Sequence, residues 1–240
     1  MNKWRIANSE WRMATRLLLA AIAVVILVLL PCSAPLAPWR IYAFRDGSFA
    51  LLPASLSPAS SSPPLLVSLS PCPPSVPLSP CPPLVPHTWH VTAAVLADVT
   101  NDGIPEWVLL VWRPWRDWPI QRWLPVPSPI AVFHDATGDS CHLVLLDPSD
   151  GREIWAGSAL PAPLLALAVG DVDGDGRDEV VALEGDYATS RDGPATRVDV
   201  WAWNGFGFTL EWRSPPGTFR QLRLTDGNDD GILDIAIRPG

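Results

Sequence analysis

From His87 to the C-terminus the chain contains no lysine. Eleven arginines stand against 23 acids there, a net charge of −12. That balance argues against a nucleic-acid partner, which asks for a basic face. The four cysteines include no Cys-x-x-Cys pair, so a structural zinc centre is not expected. His134, Asp135 and Ser140 supply the residue types of a hydrolytic triad, but no nucleophile elbow surrounds them. His87 and His90 sit at a strand entry, without the helical spacing of a two-histidine metal site. No catalysis is expected.

Long apolar runs are also scarce. The principal one is Leu17–Leu30, fourteen residues without a charge, behind a flank carrying Lys3, Arg5, Arg12 and Arg16 against Glu10. A basic flank with a short apolar core predicts one N-terminal hydrophobic helix acting as a signal peptide or anchor. Counting on to Trp39 reaches the ~20 residues of a membrane span, but Pro31, Pro35 and Pro38 interrupt it. Cleavage after Ala34 or Ala37 would place proline next, so a cleaved peptide and an uncleaved membrane anchor both stay open. Either way the remainder is expected outside the cytoplasm: at the cell surface, or secreted if the segment is cleaved.

Four regions follow: 1–38, the basic flank and helix; 39–52, a hairpin; 53–86, a low-complexity stretch; and 87–240, the acidic domain. Residues 53–86 hold twelve prolines and nine serines in 34 positions. Such a segment lacks donors and apolar periodicity, and favours extended polyproline conformations over a core. It reads as a linker, or as a long insertion between two strands of one unit. Cys72 and Cys81 within it are positioned to bridge each other or a second chain in an oxidising compartment.

What the acidic domain does contain is one loop written three times: Asp98–Glu106, Asp171–Glu179 and Asp226–Asp234. Aligned, the copies read D-x-[D/N/T]-x-D-G-x-x-[D/E]. Oxygen side chains at positions 1, 3, 5 and 9, with glycine at 6, are how a chain wraps a hard cation such as calcium. An EF-hand would need a carboxylate at position 12, where Leu109, Ala182 and Ile237 stand. Apolar runs flank each loop: Ala93–Ala97 and 107–112, Leu165–Val169 and 180–183, Leu222–Leu224 and 235–237. They are short and rich in β-branched residues, so the unit is strand, loop, strand.

This unit resembles the FG-GAP/VCBS repeat, the β-propeller repeat of integrin α-subunits. The resemblance implies calcium, with side-chain ligands Asp171, Asp173, Asp175 and Glu179 and the carbonyl of Arg177. Asp226, Asn228, Asp230 and Asp234 match nearly as well. The first copy offers Asp98, Thr100, Asp102 and Glu106; with a hydroxyl at position 3 and Pro105 at position 8, it is expected to be a weak site or an empty one.

Outer hairpins complete such units. Val198–Trp212 alternates about an Asn-Gly turn, the strongest short hairpin signal. His142–Trp155 and Ile41–Leu52 read similarly. The last half-unit, 219–238, lacks a hairpin and the first hairpin lacks an inner half. Pairing the chain's two ends would give about three four-stranded units, fewer than the four to eight blades of closed propellers. The expectation is therefore an all-β chain of propeller-like blades, incomplete or completed by self-association. The resemblance implies a non-catalytic binding or adhesion module for a protein or glycan. The Trp-rich stretch Trp112, Trp115, Trp118 and Trp123 offers an alternative, an accessory carbohydrate-binding face, or else packs a long loop onto a sheet.

Overall fold

The computed structural model describes residues 37–52, 85–117, 123 and 126–240. The expected N-terminal helix, Cys72, Cys81 and Trp118 lie outside the described residues. Among those described the chain is all β: twelve strands and no helix. In order they are β1 (Arg40–Arg45), β2 (Ser48–Leu51), β3 (His90–Ala97), β4 (Glu106–Pro114), β5 (Asp139–Leu146), β6 (Glu153–Ala156), β7 (Leu164–Gly170), β8 (Glu179–Glu184), β9 (Arg197–Trp203), β10 (Phe208–Arg213), β11 (Phe219–Thr225) and β12 (Asp234–Pro239).

They form three antiparallel sheets of four. The first is β3-β4-β5-β6, the second β7-β8-β9-β10, and the third β11-β12-β1-β2. Each is one strand–loop–strand unit plus an outer hairpin. The third is assembled from both ends of the chain, with Ile41 opposite Ala236 and Tyr42 opposite Ile235. The 41–52 hairpin thus supplies the partner that the last half-unit lacks. One expectation is corrected here. β2 and β3 belong to different sheets, so the Pro/Ser-rich stretch connects two units and does not interrupt one.

Local chemistry explains the turns. Asp46 and Gly47 both take positive φ, 51° and 78°, as a two-residue hairpin of primed type requires. At Asn204 the side-chain Oδ1 accepts from the N–H groups of Phe206 and Gly207, and the backbone closes a four-residue turn.

Strand β7 lies against both β3 and β11, so the second sheet sits between the other two. One core joins the second and third sheets through Val181, Leu183, Val198, Val200, Ile235 and Ile237. A second joins the first and second through Val108, Leu110, Trp112, Leu143, Val180 and Ala182. Side chains alternate across a strand, and β4 is buried on both faces: Trp107, Leu109 and Val111 form a separate apolar cluster on the side turned away from the second sheet.

Arg191, between β8 and β9, ties the second sheet to the first. Its guanidinium reaches Asp135 at 2.6 Å and Asp139 at 2.8 Å, and lies 4.2 Å from the ring centre of Trp112. Burial would raise the Asp135 carboxyl, but hydrogen bonds from Thr137, Arg191 and the Asp139 backbone overcome it and hold it at about 2.

Candidate metal loops

The three acidic loops join β3 to β4, β7 to β8 and β11 to β12, and they share one internal hydrogen-bond plan. The position 1 carboxylate accepts from the glycine N–H at position 6: Asp98 from Gly103, Asp171 from Gly176 and Asp226 from Gly231, at 2.8, 3.0 and 2.9 Å. Position 5 accepts from the N–H at position 7: Asp102 from Ile104, Asp175 from Arg177 and Asp230 from Ile232. Position 9 accepts from the N–H at position 2: Glu106 from Val99, Glu179 from Val172 and Asp234 from Gly227. A backbone curled this way turns its oxygen side chains inward.

The curl needs left-handed backbone at two positions. Glycine at 6 takes φ of 86–87° in every copy. Position 4 is also left-handed: Asn101 at 58°, Gly174 at 80° and Asp229 at 58°. Sequence reasoning missed position 4. The signal was present, because asparagine, glycine and aspartate are the residues that tolerate this conformation.

Position 9 is the buried anchor. Glu106, Glu179 and Asp234 are each 2% exposed. No arginine among the described residues lies within ion-pair distance of any of them. Burial raises the pKa of all three, that of Glu179 to about 8, with the neighbouring acids adding to the rise. Such a carboxylate ionises at neutral pH when a cation shares its site.

Convergence separates the copies. Oxygens of Asp98, Asp102 and Glu106 come within 4.8 Å of one another, and so do oxygens of Asp171, Asp173 and Glu179. Both groups could hold a metal ion. The third loop shows no such group of carboxylates. Its Asn228 Nδ2 instead donates to Asp230 at 2.8 Å. The ranking expected from sequence is therefore altered: the first loop gathers three carboxylates in spite of Thr100. That hydroxyl donates to Glu106 at 2.8 Å and so holds the anchor. Arg177 turns its side chain to solvent, 3.9 Å from Asp175, as an exposed ion pair.

The loops also touch in sequence order. The N–H of Leu233, at position 8 of the third, donates to the carbonyl of Asp171, at position 1 of the second, at 3.1 Å. Asp178, at position 8 of the second, is raised by burial and by Asp171 and Asp98, and its carboxylate is faced by the backbone N–H groups of both.

The tryptophans separate too. Trp112 is 2% exposed, edge-on to Tyr187 and beneath Arg191, so it belongs to the core and is withdrawn from any ligand face. Trp115 is half-buried; its Nε1 donates to the Ile130 carbonyl at 3.0 Å. Trp123 is 83% exposed. No protein-family profile, curated protein or solved structure matches the chain.

Proposed function

We propose that this protein is an exported, FG-GAP/VCBS-like repeat protein, a non-catalytic binding or adhesion module whose blades are stabilised by calcium. One observation carries the reading: the same cation-wrapping loop occurs at the same place in three sheets, with a buried carboxylate that no arginine among the described residues approaches within ion-pair distance. An all-oxygen donor set on a flexible loop suits calcium better than a thiolate- or imidazole-seeking metal. Carboxylates this close repel one another until a cation is shared among them.

The N-terminal apolar segment is the proposed route to export, as signal peptide or as membrane tether. A glycan-binding role for the Trp-rich stretch is now supported by exposed Trp123, since Trp112 is core. The test of the metal reading is calcium titration followed by calorimetry. Saturable binding that Asp173→Ala and Asp102→Ala each diminish supports it. Binding absent at millimolar calcium, or unaffected by both changes, contradicts it.

A further inference from the structure

The outer face of the first sheet changes character along its length. Trp107, Leu109, Val111, Val144 and Leu146 make it apolar at one end. At the other end Arg113 lies opposite Ser140, and His142 opposite Val111. Here a cavity of about 420 Å³ is lined by Thr88, Trp89, Arg113, Arg116, His142 and Ser158, with Asp117 also in its wall.

His142 is 5% exposed. Its Nδ1 lies 2.9 Å from the Gly157 carbonyl, which only accepts, so Nδ1 carries the proton. Nε2 then accepts from the Ser140 hydroxyl at 2.8 Å. Burial lowers the imidazole to about 4, so the ring brings no charge at neutral pH. Arg113 reaches the same Nδ1 at 3.2 Å, but a protonated nitrogen is no acceptor. The guanidinium is half-buried and lies 5.6 Å from the ring centre of Trp89. Among the described residues no carboxylate lies within 4 Å of Arg113 or Arg116. Arg152, Arg177, Arg191, Arg197 and Arg213 each have one, whereas Arg113 feels Glu153 from farther off; its place in a cavity wall sets it apart from the other arginines outside such pairs.

A half-buried guanidinium in a cavity wall, with no carboxylate of the described residues within ion-pair distance, is a site for an external one. We propose that this cavity binds a hydroxylated monocarboxylate, a sugar acid of the uronate type, with its carboxylate on Arg113. Trp89 gives a wall for the ring, and Thr88 and Ser158 offer hydroxyls to the ligand's own. Charge selects the monoanion: Arg113 and Arg116 face the cavity together with Asp117 and a neutral histidine, and Glu153 acts on Arg113 from outside it, a field too weak for a phosphate dianion in so acidic a domain.

The inference rests on the binding-module reading and names its ligand. Calcium plays no part in its readout, so failure of one leaves the other standing. The experiment is calorimetric titration of the full chain with glucuronate, glucose and N-acetylaspartate. Saturable binding of glucuronate, no response to glucose, and at least a tenfold loss in Arg113→Gln are expected. If Arg113→Gln does not fold, exposed Arg116→Gln takes its place, with a loss of threefold or more. No saturable glucuronate binding, affinity unchanged by the substitution, or tighter binding of N-acetylaspartate would each overturn the proposal, the last in favour of an acidic peptide.

Discussion

The Leu233 N–H and the Asp171 carbonyl meet at 3.1 Å, so the third acidic loop hangs on the second. The second approaches the first through a different group, the Asp178 carboxylate facing the Asp98 backbone N–H. The first loop has no described loop before it, and its position 8 is Pro105, which has no N–H to give. Proline thus stands at position 8 in the copy that has no described loop waiting for that N–H.

Position 8 should therefore be asymmetric in energy. Leu233→Pro removes a donor and disturbs the side chain packed against Gly170, and is expected to cost about 3 kcal/mol or more. Pro105→Leu should lie within about 0.5 kcal/mol of the parent. Urea unfolding of both variants checks this; equal costs would contradict the stacking of loops.

Calcium stoichiometry should reflect convergence. Two loops gather three carboxylates each and the third does not, so calorimetry near millimolar calcium should count two sites. Asp102→Ala and Asp173→Ala should each remove one, while Asp230→Ala leaves the count unchanged. Three equal sites would mean that the third loop rearranges around its ion.

The clamp between the first two sheets is a long-range one. Arg191 holds Asp135 and Asp139 from more than fifty residues away and covers Trp112. Arg191→Ala should cost about 2–3 kcal/mol, between the values for exposed and buried pairs, because it leaves the Asp135 carboxylate without its cation. The loss should shrink below about pH 2–4, where Asp135 takes up a proton. A loss that does not depend on pH would assign the effect to packing on Trp112 alone.

His142 should make the protein acid-sensitive. Its folded pKa, about 4, lies below the ordinary 6.5 because the ring is buried. The unfolded chain therefore binds a proton first. The stability that His142 contributes is complete above about pH 6.5 and falls as pH drops toward 4. His142→Gln should flatten this part of the melting profile; an unchanged slope would move the acid sensitivity elsewhere.

Much of this was legible in the sequence. The strand–loop–strand units, the three hairpins and the pairing of 41–52 with the last half-unit followed from a repeat with one piece missing at each end. The Arg191 clamp was not legible, because nothing in its spacing points to Asp135 or Asp139. Trp112 was read with the other tryptophans, since residue type does not tell which face of β4 is covered. The looser convergence of the third loop also escaped: Asn228 matches the pattern, yet its amide spends a hydrogen bond on Asp230. Thr100 departs from the pattern, yet steadies Glu106.

The most direct measurement is a thermal melt of the chain in about 1 mM calcium and again in chelator. A site of ~10⁻⁴ M adds about 1.4 kcal/mol under those conditions, or about 3–6 °C for a domain this size. The account predicts a rise of that order or larger, and Asp173→Ala should lower Tm in calcium while changing little in chelator. Equal melting with and without calcium would contradict it, leaving the three loops as acidic turns.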